Sequence, residues 1–152
     1  MTQEEKELLL KDLCVRLPYG VKVQLNIVCK IECLHKILAI NPTSNKILIN
    51  HYESDAESWK ILSIDSWVSI NDIKPYLRSM SSMTEEEKET YQMFFNEDGL
   101  LNTSIDTYLD WLLEGHFDFR GLIPKGLALE AKDWMYKTKQ DESNNQIKSV
   151  QD

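Results

Sequence analysis

An α+β fold is what this sequence of 152 residues predicts: a small antiparallel β-barrel, SH3-like or OB-like, with one helix before it and two helices and a structured loop after it. Three observations carry that expectation. The apolar spacing is helical over residues 1–17, changes to a period of two at Val21, and becomes helical again after Thr84. Four or five short strands follow one another without a crossover helix, which favours antiparallel pairing. Finally, 42% apolar content in a chain of this length is enough for one cooperative core. The division expected is a single domain over 1–136, made of a helix at 1–17, the barrel at 20–78 and a helical segment with its loop at 83–136. A disordered polar tail is expected over 137–152.

Each element has a local reason. Thr2-Gln3-Glu4-Glu5 is a capping box, in which a threonine hydroxyl accepts an amide hydrogen and a glutamate reaches back, so a helix starts there. Leu9, Leu10, Leu13 and Leu17 give it an apolar stripe, and Pro18-Tyr19-Gly20 ends it. Val21, Val23, Leu25 and Ile27 alternate with Lys22, Gln24 and Asn26, the pattern of a half-buried strand. A second strand over Ile31 to Ile40 meets the turn formers Asn41-Pro42-Thr43-Ser44-Asn45 and returns through Lys46 to Asn50, which reads as a hairpin. Trp59 to Ile64 and Trp67 to Ile70 supply two more strands, and Asn71-Asp72-Ile73-Lys74-Pro75 reads as the closing turn.

A second capping box, Thr84 with Glu87, starts a helix bearing Tyr91, Phe94 and Phe95, which Asn96 to Gly99 interrupts. A third helix begins near Thr103, buries Ile105, Tyr108, Leu109 and Leu112, and ends at Gly115. Because the strands alone make a marginal core, the helices after Thr84 are expected to dock on the barrel or on the first helix, with residues 116–130 sealing the seam.

The net charge of −8 is local: residues 81–114 hold nine acidic groups and one basic group, and the rest of the chain is near neutral. Such a run is a solvated face or a docking surface for a basic partner, and it disfavours nucleic acid, whose binding draws on Lys and Arg. Apolar runs such as Ile37 to Ile40 fall far short of the roughly 20 residues of a membrane span, and Met1 to Glu5 does not resemble a secretory leader. A cytoplasmic protein with reduced Cys14, Cys29 and Cys33 is expected.

Residues 116–130 are the candidate site. They combine two glycines, a proline, two aromatics and several charges in a segment that fits neither helix nor strand. One reading buries Phe117, Phe119, Leu122 and Ile123 and pairs Arg120 with Asp118 or Asp110. The other makes His116, Asp118, Arg120 and Lys125, with Trp111 nearby, a binding rim for a carboxylate, a phosphate or a protein surface. Neither a catalytic set nor a cofactor is expected, since the sequence has no glycine-rich phosphate loop and no His-Glu zinc helix. Cys29, Cys33 and His35, with His51, are a weak zinc pattern, because Ile31 and Ile37 share their face and argue for packing.

Several stretches together resemble a known family. They are Lys74-Pro75-Tyr76-Leu77-Arg78, Ser81-Ser82-Met83-Thr84-Glu85-Glu86-Glu87, Asp110-Trp111-Leu112, His116 to Ile123 and Lys125 to Ala131, with Glu4 to Lys6 and Gly20 to Val23 similar as well. The likeness is to small uncharacterised proteins widespread in Bacteroides-type gut bacteria, their prophages and related phages. The chain departs from that pattern at Ser79, where proline is usual, and at Lys132-Asp133-Trp134, where a Pro-Glu-Gly-like turn is usual. The resemblance brings no activity. It implies the context of a phage or mobile element, and the expected function is that of a nonenzymatic accessory protein binding a host or phage protein. The alternatives from other classes are a nucleic-acid-binding barrel using Lys22, Lys30, Lys36, Lys46 and Lys60 with Tyr52, Trp59 and Trp67, and a pocket for a small anion or nucleotide held by Arg120 and Lys125.

Overall fold

In the computed structural model, residues 1–26, 34–51 and 65–136 are described. The chain forms α1 (Gln3–Arg16), β1 (Lys22–Leu25), β2 (Leu34–Asn41), β3 (Lys46–His51), β4 (Ser66–Ser69), β5 (Ile73–Leu77), α2 (Glu85–Met93), α3 (Ile105–Glu114) and β6 (Leu129–Glu130). Both capping boxes form in full: Glu5 N donates to Thr2 Oγ1 at 3.2 Å and Thr2 N to Glu5 Oε2 at 2.7 Å, and Thr84 and Glu87 repeat the arrangement. α1 ends at Arg16, and Gly20, at φ 70°, caps the 3-10 turn Leu17–Tyr19 that follows it.

The six strands run β4-β3-β2-β1-β5-β6, antiparallel throughout except for the β5–β6 pair, which is parallel. The hairpin expected around Asn41 to Asn45 is β2–β3, with a register shift between Ile37 and Ala39. The expected barrel is corrected to an open sheet. Among the described residues no ladder joins β4 to the far edge, and the two-residue β6 extends the sheet instead of closing it. The strand expected over Trp59 to Ile64, the tail over 137–152, and Cys29 and Cys33 lie outside the described residues. No helix among the described residues is long and apolar enough to cross a membrane.

A second correction concerns Asn71 to Pro75. Only Ile70–Asp72 turns, as a short 3-10 helix, while Ile73, Lys74 and Pro75 begin the buried strand β5. Proline is compatible with that strand because of ladder geometry. Asn26 N bonds Asp72 O at 2.7 Å, so hydrogen-bonded pairs alternate from there and the Val23–Pro75 pair falls on a non-bonded position. The missing N–H then faces the side where β6 starts only at Tyr76. At the next position, Lys22 opposite Tyr76, the ladder is bridged by a side chain: Lys22 N donates to the Tyr136 hydroxyl at 2.9 Å, which donates to Tyr76 O at 2.8 Å.

Two apolar clusters result. Leu9 and Leu13 of α1 cover one face of the sheet together with Val21, Val23, Ile37, Ile47, Ile49, Ile73 and Leu77, and Leu122, Leu127 and Ala128 of the loop close the same cluster. Each such aliphatic side chain contributes about 1.5 to 3 kcal/mol on burial. The second cluster gathers Met83, Leu112 and Phe117 with half-buried Tyr91, Tyr108, Leu109, Trp111 and Phe119. The loop after α3 therefore supplies side chains to both clusters, Leu122, Leu127 and Ala128 to the first and Phe117 and Phe119 to the second.

Candidate functional site

The loop leaves α3 through Gly115, where an added Cβ would overlap the Phe117 ring. His116 then adopts the left-handed region at φ 55°, uncommon for a side chain without glycine's freedom. That turn drives Phe117 inward to full burial and lays the chain along β5: Arg78 N bonds His116 O at 2.9 Å and Asp118 N bonds Arg78 O at 2.7 Å. Asp118 next folds the loop on itself, its two carboxylate oxygens accepting Leu122 N at 2.7 Å and Ile123 N at 2.8 Å. Gly121, at φ 68°, makes that reversal accessible.

The charges of this loop are turned into the molecule. Asp12 and Arg16, one turn apart on α1, are both fully buried, with Arg16 Nε donating to Asp12 Oδ2 at 2.6 Å. Arg16 Nη2 donates to Phe117 O at 2.7 Å, tying α1 to the loop. Arg120 Nε stands 3.1 Å from Asp12 Oδ1, an ion contact without hydrogen-bond alignment. Both guanidinium groups lie over the Phe119 ring, at 5.3 Å for Arg16 and 5.0 Å for Arg120. One carboxylate thus holds two cations around one aromatic ring, in a setting where unpaired charge is costly. The expected partners of Arg120 are corrected here: Asp118 serves backbone amides, and Asp110 accepts the Tyr19 hydroxyl at 2.8 Å.

Arg78 is a second node. It forks onto Glu87 at 2.8 and 2.6 Å and sits 4.4 Å over the Phe117 ring, so β5, the loop and α2 meet at one side chain. The Arg78 guanidinium holds the Glu87 carboxyl below its usual range, against a smaller opposing effect of burial. His116 stacks on Tyr136 with ring centres 3.6 Å apart, and its Nδ1 makes no hydrogen bond among the described residues. Burial, with the charges of Arg16, Lys22 and Arg78, pushes its imidazole down to about 4, so it is neutral at physiological pH. Burial raises the Tyr136 phenol, which stays protonated and able to donate to Tyr76 O. Lys22 Nζ donates to Met135 O and lies 5.3 Å over the Tyr136 ring.

The five residues expected as a binding rim are therefore not brought together on one surface. His116 and Asp118 are buried, Arg120 is bound to Asp12 with its side chain 23% exposed, and Lys125 alone is exposed with no ion pair among the described residues. Trp111 belongs elsewhere, stacked on Phe117 at 5.3 Å within an aromatic group on α2 and α3. Asp12 and Arg16 were legible in principle, since their i, i+4 spacing falls on the Leu9–Leu13 stripe. Tyr136 carried no such local signal.

That aromatic group is the outward feature. Tyr91, Phe94, Phe95, Tyr108 and Trp111 lie with ring centres 5.4 to 6.2 Å apart, mostly tilted or edge-on, and all are only half-buried. No residue of α2 is buried. The connection between the helices is held by Asn102 N to Phe94 O at 2.8 Å and Asn96 N to Leu100 O at 2.9 Å, and it displays Met93, Leu100 and Ile105 at 71%, 64% and 63% exposure. Glu86, Glu89, Glu97, Asp98 and Asp106 surround these positions, exposed and without an ion pair among the described residues.

Of the weak zinc pattern, His35 and His51 are register partners across β2 and β3. No group of three His, Cys, Asp or Glu able to hold a metal occurs among the described residues. Comparison of the chain with family models, with curated proteins and with solved structures returns no match.

Proposed function

We propose that this chain is a nonenzymatic binding protein whose contact face is the α2–α3 hairpin, carried on the sheet and α1 as a scaffold. The observation behind it is that Met93, Leu100 and Ile105, three of the most exposed large apolar side chains among the described residues, fall within one short hairpin that also carries five half-buried aromatics. The inward turn of His116, Asp118 and Arg120 supports the hairpin over the loop as the surface that meets a partner. In keeping with the family resemblance, we place the protein in the cytoplasm as an accessory factor of a phage or mobile element that acts on a host or phage protein.

The nucleic-acid reading has less support, because the chain carries a net charge of −8 and Lys22 is directed at Met135 and Tyr136; Lys36, Lys46 and Trp67 are exposed, and Lys30, Lys60, Tyr52 and Trp59 lie outside the described residues. A barrel-type groove would also need a closing ladder that the described strands lack. The anion pocket has less support too, since Arg120 is already bound to Asp12.

The test is affinity capture by the tagged full chain from a Bacteroides-type host, with and without phage, comparing the wild type with a Met93→Glu, Leu100→Glu, Ile105→Glu variant. The wild type should retain a specific protein that the variant loses, while Lys125→Ala retains it. Equal capture by wild type and triple variant would remove the hairpin from the contact.

A further inference from the structure

We infer that the partner segment received by the α2–α3 hairpin is a basic amphipathic helix, an inference that rests on the hairpin being the contact face. The apolar part of the surface is set by Met93, Leu100 and Ile105, on the same hairpin as the half-buried aromatic group. Its charged part is close by in the chain: Glu89 precedes Met93 by one helical turn, Glu97 and Asp98 precede Leu100, and Asp106 follows Ile105. Within 81–114 the single base, Lys88, is already paired with Glu85 at 2.6 Å, and Glu87 is taken by Arg78. Asp110 accepts the Tyr19 hydroxyl, while Glu86, Glu89, Glu97, Asp98 and Asp106 are exposed with no ion pair among the described residues. A segment that covers this face must bury apolar side chains and bring cations beside them, which is what a helix with apolar residues at i, i+3, i+4 and i+7 flanked by Lys and Arg supplies. The faces of Tyr91, Tyr108 and Trp111 add attraction for such cations.

Other occupants fit worse. Residues 137–152 carry three lysines and three acids, so this chain's own end brings no net positive charge. A second copy would set one acidic face against another in a protein of net charge −8. Nucleic acid is repelled for the same reason.

The experiment titrates the full chain, followed by amide chemical shifts, with three synthetic peptides. The first is a leucine–lysine peptide with leucines at helical spacing, the second the same composition scrambled so that no stripe forms, and the third a leucine–glutamate peptide with the stripe intact. The striped cationic peptide should shift α2 and α3 resonances and bind at least about tenfold tighter than the other two. Its affinity should fall between about 0.1 and 1 M salt, where the screening length shrinks from about 10 to 3 Å. Glu89→Lys should weaken it, and Ile105→Ser should weaken it independently of charge. Equal affinity for the scrambled peptide, or shifts away from the hairpin, overturns the inference. Preference for the glutamate peptide overturns the partner's charge while leaving the hairpin as the face. Survival of native capture in the triple glutamate variant instead brings down the hairpin reading itself.

Discussion

The loop after α3 and the hairpin that precedes it use opposite conventions. In the loop Arg120 and Asp118 are turned inward while Lys125 stays exposed: Arg120 meets Asp12, which also holds Arg16 of α1, and both oxygens of Asp118 accept backbone amides. In the hairpin three apolar side chains, Met93, Leu100 and Ile105, are exposed, on a segment whose Glu86, Glu89, Glu97, Asp98 and Asp106 have no ion pair among the described residues. Charged residues crowded into a loop read naturally as a binding rim, yet here they are the fastenings that hold the two clusters together. Met93, Leu100 and Ile105, of a residue type that reads naturally as core, are the ones left exposed. Burial, more than residue type, tells which side chains here hold the fold together.

The comparison is sharpened first by removing a fastening. Arg16→Ala would leave Phe117 O without its donor and Asp12 with only the misaligned contact to Arg120, deep in the interior. Stability should fall by about 3 to 5 kcal/mol in urea unfolding, the usual cost of breaking a buried ion pair from one side. Replacing Asp12 and Arg16 together by leucine and methionine should cost less, because no uncompensated charge is then left behind. A loss below about 1 kcal/mol for Arg16→Ala would show that the inward charges do not hold the loop.

The next effect is acid lability centred on His116. Its folded value of about 4 lies below the ordinary 6.5, so the unfolded chain takes up the proton first as pH falls. Stability from this residue is intact above pH 6.5, is lost progressively between 6.5 and 4, and is gone below that. Over that window the loss should reach about 3 kcal/mol, from the worth of each pH unit of displacement. Glu87, held below its usual range by Arg78, adds in the same direction at the acid end. His116→Asn tolerates the left-handed backbone at φ 55° and removes the titrating ring. Its stability curve should therefore be flatter than the wild type's between pH 6.5 and 4. Parallel curves for the two proteins would mean that His116 does not titrate as a buried group.

The smallest effect belongs to the hairpin. Leu100→Ser removes an apolar side chain that is 64% exposed, and should change stability by no more than about 0.5 kcal/mol by thermal unfolding. A loss of about 2 kcal/mol or more would show Leu100 to be core, in solution, and would break the contrast between the two regions.

Features decided between neighbours in the chain are legible from the residues alone. Thr2 with Glu5 and Thr84 with Glu87 form their boxes because both partners lie within one turn. The hairpin at Asn41 to Asn45 and the alternation of β1 follow from turn chemistry and a period of two, again within a few residues. Tertiary structure decided the rest, because those outcomes depend on groups far apart in the chain. Pro75 enters a buried strand only because β1 meets it at a non-bonded position and β6 begins one residue later. Arg120 chooses Asp12 over the nearer Asp118 because Asp118 is consumed by the turn it makes, while a buried carboxylate over a hundred positions away needs countercharge. Tyr136 bridges β1 and β5 at the point where their ladder opens, a gap that exists only once the sheet is assembled. Local hydrogen bonds close within a turn and are written in adjacent residues; desolvation and pairing are settled only when the chain has folded.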